Sequence, residues 1–126
     1  MDPKIVQDVL DALTAGMQAG KDAVPEHMVV VDTQSNQTWN VPDGPCGFAW
    51  VEFKGNTKFA RVVKQMFENT ERNGVVMYGN AYPTGKHLWI TAFGQSYDRK
   101  SAMAGAMARV LRDRGYADVH AGGRLD

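Results

Sequence analysis

From Gly47 onward the hydrophobic period of the chain changes repeatedly, and this restricts the possible folds more than any other feature. Gly47 to Phe53 alternates at every second residue, the period of a strand. Asn56 or Thr57 then caps a segment in which Phe59, Val62, Val63, Met66 and Phe67 fall at i, i+3, i+4, i+7 and i+8, one face of a helix. Asn73-Gly74 closes that segment and Val75 to Tyr78 reads as a second strand. Residues 79–86, with Pro83 and Gly85, form a turn region, and His87 to Phe93 is a third strand. Ser96 caps a second helix that runs to Arg114 and stops at Gly115; Ala117 to Ala121 supplies the last strand. The order β-α-β-β-α-β predicts an α+β, ferredoxin-like fold: an antiparallel sheet of order 4-1-3-2 with both helices on one face. Ala102, Gly105, Ala106 and Ala108 let the second helix approach the sheet closely, and Met103, Met107, Val110 and Leu111 fill the gaps.

Ahead of this core, residues 1–45 read as an acidic extension. Asp2-Pro3 is a strong helix start, and Ile5, Val6, Val9, Leu10, Leu13 and Met17 recur at helical spacing until Gly16 and Gly20 weaken and end the helix. Met28 to Val31 is a short β-prone run, followed by a long polar connection over 32–45. The expected organisation is thus 1–45 as helical extension and connection, and 46–126 as the α+β domain. The whole chain of 126 residues balances 14 Lys+Arg against 14 Asp+Glu, but unevenly. Residues 1–45 hold two basic and seven acidic side chains, net −5, and the remainder twelve and seven, net +5. The ordinary reading is an acidic segment packed on a basic domain; the sharper one is that it masks a basic surface. The balance argues against simple nucleic-acid binding, and the apolar runs are too short for a membrane helix. The first residues lack the basic-then-apolar order of a signal peptide, so an intracellular protein is expected.

Strand alternation divides the aromatics from the aliphatics. Ala49, Val51 and Phe53, with Leu88, Ile90 and Ala92, suit the helix-covered face. Phe48, Trp50, Trp89 and Phe93 then share the other face on adjacent central strands. So many large rings on one surface call for a cover: the N-terminal helix, a second subunit, or unstacked nucleic-acid bases, in that order. Gly47 to Phe53 is similar to the aromatic signature of RNA-recognition modules, but Cys46 replaces the basic residue and the signature sits on the first strand instead of the third.

The same topology brings the start of the first strand beside the ends of the third and fourth. Cys46, Gln95, Ser96, Arg99, Lys100, Arg124 and Asp126 are therefore expected at one sheet edge, next to the N-terminus of the second helix. This is a candidate site for a small anion or carboxylate. The competing reading, which we favour, is a tether in which Asp126 pairs with Arg99, Lys100 or Arg124. Cys46 as a thiol nucleophile would need His87 or His120; His87 is expected at the far end of its strand and His120 closer. A lone Cys forms no intramolecular disulfide, His27, His87 and His120 lack metal-ligand spacing, and no phosphate-binding glycine loop is present, so no cofactor or metal is expected. Arg109, Arg112 and Arg114 read as a solvated helix end.

Gly44 to Val51 (GPCGFAWV), Gly55 to Lys58 (GNTK), Gly94-Gln95-Ser96 followed by Lys100, and the terminal Arg124-Leu125-Asp126 together resemble a family of small uncharacterised proteins of tailed bacteriophages. The resemblance covers roughly residues 44–126, and departs at Gly122-Gly123, where the family more often has a small residue and Ser. It implies a phage origin and a place in the host cytoplasm or the virion, and no reaction. The functional expectation is a non-enzymatic protein that binds another protein (itself, as a homo-oligomer; a host factor; or a virion component) through the aromatic sheet face and the amphipathic N-terminal helix. A single-stranded nucleic-acid binder using the same face is the alternative, and a small-ligand binder or enzyme at the Cys46/Ser96/Arg124 edge comes third.

Overall fold

A computed structural model describes residues 1–26, 28–35, 37–81 and 85–126. His27, Asn36 and residues 82–84, including Pro83, lie outside the described residues; both ends of the expected 79–86 turn region are strand instead, with Ala81 paired to Gly85 and Asn80 to Lys86. The elements are α1 (Pro3–Asp22), β1 (Met28–Asp32), β2 (Gln37–Val41), β3 (Gly47–Lys54), α2 (Lys58–Phe67), β4 (Val75–Ala81), β5 (Gly85–Ile90), α3 (Tyr97–Asp113) and β6 (His120–Leu125). The protein is α+β, with a four-stranded antiparallel sheet in the order β4-β5-β3-β6 and a separate β1-β2 hairpin.

Local chemistry explains where the helices begin. Asp2 accepts hydrogen bonds from the amides of Lys4 and Ile5, with Pro3 in the first turn of α1. Thr57 accepts from Ala60 to open α2, and Ser96 accepts from Arg99 to open α3. The aliphatic sheet face is fully buried: Ala49, Val51, Phe53, Val75, Leu88 and Ile90 lie under α2 and α3.

Four sequence expectations change. First, the connection over 32–45 contains a strand, since β2 folds back on β1 from Asp32↔Gln37 to Met28↔Val41. Thr38, Trp39 and Val41 are β-prone residues, and Gln37 and Asn40 between and beside them within the strand disguised the pattern. Second, the last strand is His120–Leu125, later than expected, because Ala117 and Asp118 are used in the turn out of α3.

Third, Gly16 and Gly20 do not end α1; they let it pack. A Cβ on Gly16 would lie 2.6 Å from Met107 Cγ on α3, and one on Gly20 would lie 2.2 Å from Phe93 Cε2. Together with fully buried Ala12 and Leu13, they set α1 against α3, and α1 contributes to the same hydrophobic core as the sheet. Fourth, α1 does not cover the aromatic face. All three described helices are placed elsewhere, α2 and α3 on the aliphatic face and α1 on α3.

The acidic segment meets its cations on this helical side. Asp8 accepts from Lys4 Nζ at 2.7 Å, Arg114 at 2.8 Å and the Tyr116 hydroxyl at 2.6 Å, while Arg114 also reaches Asp11 at 2.9 Å. Asp2 pairs with Lys58, and Asp43 with Arg99. The end of α3 is therefore not simply solvated: Arg114 ties it to α1, and Arg112 donates to the Val119 carbonyl. Burial alone would push the Asp8 carboxyl up; the bonds from Lys4, Tyr116 and Arg114 outweigh it and hold the pKa at about 2.

Candidate binding face and sheet-edge site

Register places the residues of the helix-free face. Trp50 pairs with Trp89 on one side and Gly122 on the other; Phe48 pairs with Arg124; Glu52 pairs with both His87 and His120. Directly paired residues point to the same side of an antiparallel sheet. Phe48, Trp50 and Glu52 on β3, His87 and Trp89 on β5, and Arg124 on β6 therefore share one surface.

The rings on it form a continuous cluster. Trp50 and Trp89 stack with centroids 5.4 Å apart and planes 7° apart, Phe48 lies 5.5 Å from Trp89, and His87 meets Trp50 edge-on at 5.5 Å. The other side of the Trp50 indole lies over Gly122, where a Cβ would stand 2.5 Å from Nε1. Among the described residues that buried indole N–H has no hydrogen-bond partner, a cost of about 1–3 kcal/mol. Two cations approach Phe48: the Arg124 guanidinium at 5.5 Å from the ring centroid and Lys100 Nζ, reaching from α3, at 5.9 Å. Burial pushes the Lys100 ammonium below the ordinary lysine range. The rings are thus half-buried by one another, which corrects the view that they would lie bare without a cover.

Phe93 does not belong to this cluster. The third strand ends at Ile90, and Phe93 follows in a left-handed turn with φ of 66°, next to Gly94 at 57°. For a bulky residue that backbone is strained. Phe93 adopts it to direct its ring at Gly20 of α1, on the helical side of the molecule.

The sheet edge assembles in large part as topology predicts. Cys46 bridges Ser96, the Gly47 amide donates to the Gln95 carbonyl, the Tyr97 amide to the Pro45 carbonyl, and the Asp126 amide to the Cys46 carbonyl. The Ser96 hydroxyl caps α3 and donates to the Asp43 carbonyl at 2.8 Å. Arg99 binds the Gly20 and Lys21 carbonyls at 2.9 and 3.0 Å, closing the end of α1. A cleft of about 590 Å³ is lined by Asp43, Cys46, Phe93, Gln95, Ser96 and Arg99, among others. Lys100 and Arg124 do not line it; they face Phe48. The C-terminus is held by its backbone amide, and among the described residues no ion pair forms to the Asp126 carboxylates.

Among the described residues, this edge brings neither His87 nor His120 to Cys46. Cys46 is exposed. His87 and His120 both pair with Glu52, six residues further along the sheet and about 20 Å from Cys46 at ~3.4 Å per residue. His120 is therefore no closer than His87, contrary to the sequence reading, because β6 begins three residues later than expected and runs on to Leu125 opposite Gly47, which leaves His120 at the far end. Among the described residues no group of three His, Cys, Asp or Glu side chains is placed to hold a metal, and no helix is long and apolar enough to cross a membrane.

Sequence reasoning missed three features: the His87–Glu52–His120 row, the two cations on Phe48, and the Asp8 network. Counting register outward from Trp50 and Trp89 would have found the first. No protein family, curated protein or solved structure matches the chain.

Proposed function

We propose that this protein acts without catalysis, by self-association through its helix-free sheet face. The observation that carries the reading is the contiguous Phe48–Trp50–Trp89 cluster, part-exposed on the one sheet face that no described helix covers. Its geometry favours packing against another protein over stacking of bases. Trp50 is sandwiched between Trp89 and Gly122, and Phe48 already faces Arg124 and Lys100, so the ring faces that bases would need are largely engaged. The apolar stripe of α1 is spent on α3 and does not contribute to a partner surface. We also read the core as ferredoxin-like, on the strand order and the βαββαβ succession. The tailed-phage resemblance of residues 44–126 supports a place in the host cytoplasm or the virion.

Size limits the strength. Four strands ~4.8 Å apart and about six residues long make a face of about 400 Å², and two such faces would bury roughly 1,000 Å² in all with side-chain relief, the lower limit for a specific interface. A micromolar, concentration-dependent dimer is expected. Sedimentation velocity from 5 to 500 µM tests this: the wild type should shift toward dimer, and Trp89→Glu should remain monomeric with unchanged circular dichroism. A wild type that stays monomeric across the series refutes the reading. Salt-sensitive binding of a single-stranded oligonucleotide at low salt would replace it with the nucleic-acid alternative, for which Arg124 and Lys100 beside Phe48 are the favouring contacts.

A further inference from the structure

Resting on the self-association reading, the charge pattern of the same face specifies how two copies meet. The face has a cationic end and an acidic end. Arg124 is exposed beside Phe48, Lys100 is buried near the same ring and supplies no surface charge, and Glu52 lies on the same strand and the same side as Phe48; among the described residues none of the three charged groups makes an ion pair. Phe48 and Glu52 stand two residues to either side of Trp50, so each lies about 6.8 Å from it at ~3.4 Å per residue.

Two simple two-fold arrangements bring the faces together. An axis parallel to the strands lays like rows on each other: the Phe48 row with Arg124 meets the same row of the second copy, and Glu52 meets Glu52. Like charges then confront each other at both ends of the interface. An axis perpendicular to the strands, through the Trp50 row, reverses the strand direction of the second copy. Trp50 and Trp89 then meet their own counterparts, and the Glu52 row falls over the Phe48 row, twice by symmetry.

We propose that the partner is a second copy of this chain, docked face to face about an axis through the Trp50–Trp89 pair, with Glu52 of each copy set over Phe48 and beside the exposed Arg124 of the other. The surface is self-complementary in that one orientation. Apolar rings occupy the centre and opposite charges the two flanks, the layout expected of a specific interface. The charges select the orientation, and the rings supply the buried area.

The test is a charge exchange read by sedimentation velocity, with circular dichroism confirming that each variant folds. Glu52→Lys alone puts a second cation against Arg124 and should raise the dimer Kd at least tenfold. Arg124→Glu alone should also weaken the homodimer. Mixed one to one, the two variants should form a heterodimer close to wild-type affinity, because the new lysine faces the new glutamate at one junction and the native set is retained at the other. Loss in the single variants without recovery in the mixture overturns the proposed register. Wild-type dimerisation of both single variants, with Trp89→Glu still monomeric, also overturns it while leaving self-association standing. A wild-type monomer overturns both.

Discussion

Replacing Asp8 with Asn tests whether the acidic extension is part of the folded core. The Asp8 side chain is 5% exposed, yet it accepts from Lys4, Arg114 and Tyr116, and these partners hold its carboxyl at about 2 against an ordinary value of 3.8. At about 1.4 kcal/mol per pH unit, that depression corresponds to about 2.5 kcal/mol of folding stability. The Lys4 and Arg114 ends are substantially exposed, at 69% and 43%, and solvent screening reduces the expected figure to about 2 kcal/mol. The sign follows from the direction. A carboxyl with a depressed folded pKa contributes fully above its unfolded pKa near 3.8, and the contribution is lost as pH falls toward 2. Asp8→Asn should therefore cost about 2 kcal/mol at pH 7, with about half of that difference gone by pH 3. Urea unfolding followed by far-ultraviolet circular dichroism at pH 7, 5 and 3 measures it. A deficit below about 0.5 kcal/mol at pH 7, or one unchanged at pH 3, would refute the argument that this network anchors α1 to α3.

Three further outcomes are expected. Gly20→Ala drives a Cβ to 2.2 Å from the Phe93 ring and should cost about 1–3 kcal/mol, whereas Gly105→Ala, with no atom within 4 Å, should be neutral or raise stability by up to ~1 kcal/mol; paired thermal melts distinguish them. Ser96→Ala removes both the α3 cap and the bond to the Asp43 carbonyl and should lower stability by about 1–2 kcal/mol in denaturant titration. Trp50→Phe removes the buried, unpartnered indole N–H along with some ring area, so the two effects offset and the expected loss is under ~1 kcal/mol; a loss near 3 would show that the N–H contributes a bond.

Much of the architecture was readable one segment at a time. Asp2-Pro3, Thr57 and Ser96 mark helix starts because a cap acts within three residues of itself, and the change from period two to period 3.6 locates β3, α2, β5 and α3 for the same local reason. The convergence of Cys46, Gln95, Ser96 and Asp126 was also readable, because topology alone brings those backbone segments together. The edge was misread only in its side chains. Arg99 turns to the end of α1, Lys100 and Arg124 turn to Phe48, and the Asp126 carboxylates pair with none of the three among the described residues.

The sequence by itself determined every element but β2 and the bounds of some strands, and the separation of aliphatic from aromatic faces, since these depend on neighbours two to four residues apart. Only the tertiary structure decided where α1 lies. Its apolar stripe could have served either side of the sheet, and the outcome rests on Gly16 and Gly20 fitting Met107 and Phe93, and on Asp8 meeting Arg114 and Tyr116, contacts more than 70 residues apart in sequence. The position of Phe93 was decided in the same way. A ring three residues past the end of β5 left the sheet, because a pocket against Gly20 outweighed its strained backbone. Those contacts leave the other face of the sheet to Phe48, Trp50 and Trp89.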